Sequence, residues 1–138
     1  MHPYAEKISE IGSNANPTFV TLGITPVSWG NGKAVLKMPV TPDKHNGVGF
    51  LQGGFYVVIA DESIALAILA ELDEKHGCTT ISETTEFMKG AKEGEIYAVA
   101  NITRKGRKIV FAEAEVRLGS EDGALLSKTT VSYLITET

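Results

Sequence analysis

The residues best suited to chemistry are two glycines and an acidic residue in one long apolar segment, residues 53–72. Gly53-Gly54 opens the segment, and Asp61 follows seven residues after the second glycine. If the segment is a helix, the free N–H groups of its first turn form an anion-binding site that glycines leave accessible. A carboxylate in apolar surroundings is costly to bury without partners. The pattern suggests an oxyanion site and a general base or nucleophile, which together suit attack on a carbonyl carbon.

Each of these features also has a purely structural explanation. The glycines could form a tight turn into the helix, and Asp61 or its neighbour Glu62 could face solvent or pair with a lysine. Successive helix residues lie about 100° apart, so the two carboxylates cannot face the same surroundings. The residue types alone leave both explanations open.

The spacing along the helix adds a constraint. Gly54 and Asp61 lie on nearly the same helix face but about 10 Å apart along the axis. A general base and an oxyanion site for one carbonyl must both come within about 3 Å of the reacting atoms. Two such helices running antiparallel across a two-fold axis would meet that requirement. If both elements serve one reaction, the sequence therefore favours a homodimer with a shared active site.

The remaining elements follow from hydrophobic periodicity. Residues 53–72 are apolar on every side from Phe55 onward, which is typical of a central, buried helix. Before this helix we expect a helix from Pro3 to Ile11 and two strands, residues 18–28 and 33–40, joined at Gly30-Asn31-Gly32. After it we expect a strand over residues 79–89 and three more strands, each with one apolar face. Those faces are formed by Ile96, Ala98, Ala100 and Ile102 in the first, by Val110, Ala112, Ala114, Val116 and Leu118 in the second, and by Leu125, Val131, Tyr133 and Ile135 in the third. Short connections between consecutive strands favour an antiparallel sheet. We predict one α+β domain, residues 1–138, in which five to six strands curl around the long helix.

Composition argues against several classes of protein. Thirteen basic and seventeen acidic residues give a net charge of -4, whereas nucleic-acid and anionic-membrane proteins usually need a basic excess. The single cysteine, Cys78, permits neither an intrachain disulfide nor a cysteine-based zinc site. The longest uninterrupted apolar runs, Phe55 to Ala60 and Ile64 to Ala70, are far shorter than the ~20 residues that span a bilayer, and residues 1–10 lack the features of a signal peptide. We therefore expect a cytoplasmic protein with no nucleic-acid or membrane partner, no metal and no cofactor.

A resemblance to a known family rests on the stretch His45–Gly54, HNGVGFLQGG, followed by Ala60-Asp61-Glu62-Ser63. This pattern resembles the signature of hotdog-fold thioesterases, and is most similar to the phenylacetate-degradation-type group of the 4-hydroxybenzoyl-CoA thioesterase superfamily. The resemblance covers roughly residues 18–136. It implies a hotdog fold, hydrolysis of an acyl-CoA thioester, and a homodimer with a shared active site that commonly assembles into a tetramer.

The resemblance also implies roles for individual residues. Asp61 matches the carboxylate that activates water or attacks the thioester, and Gly53 matches the residue whose N–H polarises the carbonyl. Asn46 matches a polar side chain that orients the carbonyl or the water, and Thr80 matches a Ser/Thr position near the carboxylate. The sequence departs from the group at Gln52, where many relatives have His. Gln donates hydrogen bonds but cannot act as an acid at neutral pH, so we expect it at most to help hold the carbonyl.

Structural alternatives accompany the weaker candidates. Gln52 could be a loop residue bonded to backbone, and Thr80 could be an ordinary β-branched strand residue. The candidates for substrate binding are Gly54, Tyr56, Phe87, Arg104, Lys105 and Arg107. The two aromatic residues could line an acyl pocket or belong to the core. The three basic residues could bind the phosphates of coenzyme A or form a solvated turn.

Two other functions compete with hydrolysis. An acyl-thioester dehydratase usually pairs a His with its acidic residue, and no His immediately precedes Gly53-Gly54. A non-catalytic acyl-CoA binding or sensing domain would keep the fold without turnover, and Gln52 leaves this open. The acyl group, whether aryl, short-chain or medium-chain, is not readable from the sequence.

Overall fold

Six antiparallel strands around one long helix form the core of the structure, a computed structural model that describes residues 1–137. The helices are α1 (Pro3–Ile11), α2 (Pro17–Leu22) and α3 (Gly53–Leu69), with short 3₁₀ turns at Gly12–Ala15 and Pro42–Lys44. The strands are β1 (Thr25–Gly30), β2 (Lys33–Pro39), β3 (His76–Phe87), β4 (Glu95–Lys105), β5 (Ile109–Leu118) and β6 (Ala124–Glu137). They form one sheet in the order β1-β2-β4-β5-β6-β3, and α3 contacts all six strands. The α+β prediction is confirmed.

The long helix α3 is apolar on nearly every side because it lies in the middle of the fold. Ile59, Ile64 and Leu66 are all completely buried. Burial of each such side chain contributes about 1.5–3 kcal/mol, so packing against the sheet fixes the position of α3. The helix begins at Gly53 as predicted and ends at Leu69, before the predicted end at residue 72.

The strand predicted over residues 18–28 is wrong in its first part, which is helix α2. Asn16 caps this helix, its side-chain oxygen accepting a hydrogen bond of 2.9 Å from the Thr18 N–H, and Pro17 occupies the first helical position. Gly23 ends the helix in the left-handed conformation, with φ 74°. These helix start and stop signals outweigh the β-branched residues between them.

The other predicted strands all form, although the strand predicted over residues 79–89 runs from His76 to Phe87, and one inward residue predicted for β6 is wrong. Asn31 and Gly32 both have positive φ, as a tight hairpin turn requires, and they join β1 to β2. The inward faces predicted for β4 and β5 are buried or half-buried. At the start of β6, however, Leu126 is buried instead of Leu125, because the β5–β6 register shifts between Val116 and Arg117.

Strand β3 lies at one edge of the sheet and pairs only with β6 among the described strands. It is 12 residues long and largely exposed. The register with β6 shifts between Thr80 and Ser82, which makes Ile81 an extra, bulged residue.

Within residues 1–137, no helix has both the length and the apolar character needed to cross a membrane.

Candidate active site

Asp61 lies in the middle of α3, where two strands supply hydroxyl groups to its carboxylate. Tyr133 of β6 donates a short hydrogen bond to Asp61 Oδ1, and its hydroxyl also lies 3.2 Å from the Asp61 backbone oxygen. Thr80 of β3 donates to the same Oδ1 at 3.3 Å. The carboxylate is half-buried. These contacts place Asp61 in an organised polar cluster and not on an open surface.

The titration behaviour of the neighbours follows from burial beside a negative charge. Burial, reinforced by Asp61, raises the pKa of Tyr133 far above its usual range, so Tyr133 remains a hydrogen-bond donor. The same two causes raise the pKa of Cys78 to about 11 and that of Glu83 to about 7. The surroundings of Asp61 therefore contain hydroxyl and thiol groups that stay neutral and a second carboxyl group that titrates near neutrality.

Glu62, the residue after Asp61, has different surroundings. Its Oε2 accepts a hydrogen bond of 2.9 Å from Asn16 Nδ2, which also donates to the Tyr4 hydroxyl at 2.8 Å. Burial is the main reason that the pKa of Glu62 is raised. The two carboxylates face different parts of the fold, as the helical geometry predicted, and Glu62 ties the N-terminal segment to α3.

The start of α3 presents backbone donors. Within residues 1–137, the N–H groups of Gly53 and Gly54 have no hydrogen-bond partner, and the Gln52 side chain does not cap the helix. Neither glycine has a positive φ. A Cβ at Gly53 would lie 3.6 Å from the Phe87 ring, an ordinary packing distance, and a Cβ at Gly54 would meet nothing within 4 Å. Since neither conformation nor packing demands glycine here, ligand access to the backbone is the better explanation.

A groove of about 330 Å³ lies beside this helix start. Its lining residues are Asn46, Phe50, Leu51, Gly53, Tyr56, Phe87, Met88, Lys89 and Gly90. The Asn46 side-chain oxygen accepts from the N–H groups of Val48 at 3.0 Å and Phe50 at 3.1 Å, so it shapes the loop. The Asn46 NH₂ group has no partner within residues 1–137 and can donate to a ligand.

The two aromatic candidates have different exposures. Tyr56 is 3% exposed and belongs to the core, whereas Phe87 is 55% exposed and borders the groove. Their rings pack edge to face with centroids 5.7 Å apart. Gln52 is exposed just before the helix. The groove therefore gathers Asn46, Gly53 and Phe87, with Tyr56 as the supporting wall.

The basic candidates lie at the other end of α3. Arg104, Lys105 and Arg107 are exposed, and Lys105 Nζ donates to the Glu71 backbone oxygen at 3.2 Å. An open cavity of about 310 Å³ in this region is lined by Glu71, Leu72, Asp73, His76, Lys105, Gly106, Arg107 and Ile135. From Gly53 to Leu69 the helix rises about 24 Å, so one chain does not bring the basic residues to the groove.

Asp61 and Gly53 are also separated within one chain. They are eight residues apart on α3, about 12 Å along the helix axis. The candidates thus form an acid cluster (Asp61, Thr80, Tyr133) and a donor cluster (Asn46, Gly53, Gly54). No group of three His, Cys, Asp or Glu side chains in residues 1–137 could hold a metal ion.

The sequence reasoning missed two residues of the acid cluster region, Tyr133 and Glu83. Alternation along the last strand places Tyr133 on one face with apolar residues and predicts no role for it, although a tyrosine on such a face signals a buried hydroxyl that needs a partner. Glu83 gave no usable signal. Strict alternation from Thr80 puts it on the opposite face, and the bulge at Ile81 reverses that placement.

Comparison with known proteins identifies the family of the chain. The profile of the thioesterase superfamily matches residues 48–124, more than half of the chain. The 1,4-dihydroxy-2-naphthoyl-CoA hydrolase of Listeria monocytogenes is 24% identical over 112 residues, covering 81% of this chain and 91% of that protein. Human acyl-coenzyme A thioesterase 13 is 29% identical over 94 residues, covering 67% of this chain and 66% of that protein.

Solved structures give the same fold. A variant of the thioesterase PA1618 from Pseudomonas aeruginosa superimposes with a TM-score of 0.86 at 22% identity, covering 100% of this chain and 97% of that chain. At that identity the likeness supports the hotdog fold alone. The superfamily match over the helix start and Asp61 goes further: this chain belongs to the thioesterase superfamily.

Proposed function

We propose that the protein hydrolyses acyl-CoA thioesters, with Asp61 of one subunit acting on a carbonyl held at the Gly53 end of its partner's helix. The observation that carries the proposal is the pair of clusters on α3, an oriented carboxylate and a helix start with open N–H donors. Each supplies what the other lacks for attack on a thioester. The motif Asn46, Gly53-Gly54 and Asp61 favours the phenylacetate-degradation-type branch of the superfamily.

Strand β3 supports the shared site. Thr80, near its start, contacts Asp61, and Phe87, its last residue, packs beside Gly53. A long edge strand readily pairs with another strand. If β3 pairs antiparallel with its copy about a two-fold axis, the start of each strand lies beside the end of the other. Asp61 of one subunit then approaches Gly53 of the other, which removes the 12 Å separation.

The reaction follows from these positions. The carbonyl oxygen accepts hydrogen bonds from the Gly53 N–H and the Asn46 NH₂ group, which stabilise the developing oxyanion. Asp61 takes a proton from water as the water oxygen bonds to the carbonyl carbon. The carbon–sulfur bond then breaks, the acid is released, and the proton passes to the CoA thiolate. Direct attack by Asp61 through a covalent anhydride uses the same geometry.

The basic run provides a place for the other end of the substrate. Arg104, Lys105 and Arg107 lie beyond the C-terminal end of the helix that carries Asp61. From Asp61 to the helix end at Leu69 the rise is about 12 Å, and Glu71 lies just beyond, a span suited to the extended pantetheine arm. Guanidinium and ammonium groups there can hold the phosphates of coenzyme A by charge-assisted hydrogen bonds.

Release of free thiol from a panel of aryl, short-chain and medium-chain acyl-CoAs tests the proposal. We expect turnover by the parent and a loss of roughly 10²–10⁴-fold in Asp61→Asn and Asp61→Ala, the range for removal of a general base. A parent no faster than these variants would favour the binding or sensing domain. Water elimination from a 3-hydroxyacyl-CoA without thiol release would favour the dehydratase.

A further inference from the structure

A second carboxyl group, that of Glu83, faces Asp61 from β3. Thr80 and Glu83 are three residues apart, so in a regular strand they would point to opposite faces of the sheet. The bulge at Ile81 restores both to the helix side, where Thr80 contacts Asp61 and Glu83 comes within hydrogen-bonding reach of the same carboxylate. The fold therefore uses one extra residue to set two carboxyl groups against each other.

The contact between these groups requires a proton. Ionised carboxylates only accept hydrogen bonds, so two of them cannot bond to each other. Glu83 Oε2 is enclosed and, within residues 1–137, has no hydrogen-bond partner. A buried, unpartnered carboxylate oxygen beside another negative charge is costly. A proton on Glu83 removes both penalties, because the neutral acid can donate to Asp61.

Within residues 1–137, no cation faces Glu83 from the elements packed against it. The titratable groups there are Asp61 on α3, Tyr133 on β6 and Cys78 on β3 itself. Tyr133 and Cys78 stay neutral at physiological pH, so Asp61 supplies the only charge among them. Nothing in this environment favours a second negative charge.

We propose that Glu83 is a positioning residue that keeps a proton while Asp61 is ionised, and so holds the Asp61 carboxylate in its reactive orientation. This deepens the proposed hydrolysis and rests on it. Tyr133 and Thr80 occupy Asp61 Oδ1. Protonated Glu83 supplies a further donor to the same carboxylate, whereas ionised Glu83 repels it. The proton on Glu83 stays in place through the reaction and is not transferred to substrate.

The pKa of Glu83 sets the pH at which its effect on Asp61 should change. Burial and the Asp61 charge raise the pKa of Glu83 to about 7, above its ordinary value of 4.5. Below that pKa Glu83 is neutral and donates, and above it the two carboxylates repel each other. We therefore expect kcat/KM of the parent to fall as pH rises through about 7.

The experiment compares pH profiles of acyl-CoA hydrolysis by the intact oligomer for the parent, Glu83→Gln and Glu83→Met. Gln has the same shape and donates at every pH, so Glu83→Gln should keep most of the activity and lose the decline above neutrality. Met cannot donate, and we expect roughly a tenfold loss of kcat/KM across the range, about the effect of one hydrogen bond to a charge. In parallel, carbon-13 NMR of labelled Glu carboxyl groups follows the Glu83 titration.

The outcomes separate this inference from the proposed function. A Glu83 midpoint near 7 that falls in Asp61→Asn, together with a flat profile for Glu83→Gln, supports it. If the parent hydrolyses thioesters and needs Asp61, but Glu83→Gln keeps the parental decline or Glu83 titrates near 4.5, the inference fails alone. If the parent releases no CoA at any pH while Glu83 still titrates near 7, the proposed function fails and the positioning role falls with it.

Discussion

The acid cluster and the donor cluster differ in whether one chain supplies hydrogen-bond partners for their polar groups. Hydroxyl groups from two strands hold the Asp61 carboxylate, so the acid cluster is assembled before any ligand arrives. The N–H groups of Gly53 and Gly54 have no partner within residues 1–137, and a groove lies open beside them. The donor cluster is therefore open to a ligand. Changes at Gly53 should act directly on charge in the transition state, and changes around Asp61 mainly on orientation.

Gly53→Pro removes one N–H group from the donor cluster and should have the largest effect. Proline lacks the N–H but suits the first position of a helix, and Gln52 already has the extended conformation (φ -62°, ψ 135°) that precedes proline without strain. We expect kcat for acyl-CoA hydrolysis to fall about 10²–10³-fold, the usual effect of removing one oxyanion donor. Gly53→Ala is the matched control: it keeps the N–H and only narrows access to it by one methyl group, so it should lose much less activity than Gly53→Pro. Equal losses in both variants would exclude the N–H as the donor.

Mixing two inactive variants tests whether the two clusters belong to different subunits. Asp61→Asn and Gly53→Pro would be unfolded together, refolded at equal concentration and assayed for thiol release. Random reassortment gives mixed dimers in which one of the two sites is intact, so activity should recover to about a quarter of the parent. Each variant refolded alone is the control. Absence of recovery in mixtures shown to contain mixed dimers would place both clusters within one subunit.

Tyr133→Phe tests whether the Tyr133 hydroxyl orients the Asp61 carboxylate in the acid cluster. It removes the hydroxyl that donates to Asp61 while keeping the ring that packs in the core. We expect kcat to fall roughly tenfold, as one hydrogen bond to a charged group is lost. Tyr97→Phe, on strand β4 and separated from β6 by β5, controls for loss of a tyrosine hydroxyl elsewhere. A parental kcat in Tyr133→Phe would mean that this hydroxyl does not orient the carboxylate.

Neutralising the basic run should have the smallest effect. Replacing Arg104, Lys105 and Arg107 by Gln should raise KM for acyl-CoA several-fold and leave kcat unchanged, because exposed charges contribute binding that is screened by salt. The parental KM should rise with ionic strength, and the triple variant should lose that dependence. A control with Lys7, Lys33 and Lys37 replaced by Gln removes the same charge elsewhere. The same KM increase in both would indicate a general charge effect.

The fold was largely predictable because its main signals are periodic. The all-apolar segment after Gly53 predicted the central helix, and alternation along β4 and β5 predicted the buried faces correctly. Asp61 and Gly53 stood out because a carboxylate and paired glycines are unusual in such a helix. Their chemical roles remain predictions, since no single chain brings the two together.

The failures have local causes that residue types do not display. Residues 18–22 form a helix because capping by Asn16 and the stop at Gly23 outweigh β-branched side chains. Glu83 reaches Asp61 only because of the bulge at Ile81, and a register shift cannot be read from alternation. Leu125 was misplaced for the same reason, a shift in the pairing of β6.

Glu62 links the N-terminal segment to the centre of α3. Asn16, together with the Tyr4 hydroxyl that it contacts, provides the polar environment of a buried carboxyl group one residue from Asp61. A chain shortened to begin after Asn16 would keep every candidate catalytic side chain. It would nevertheless leave Glu62 without its amide donor, in an apolar setting where an uncompensated charge is poorly tolerated. Shortening the front of the protein should therefore disturb the centre of α3, so the first sixteen residues are poor candidates for removal or for a fusion junction.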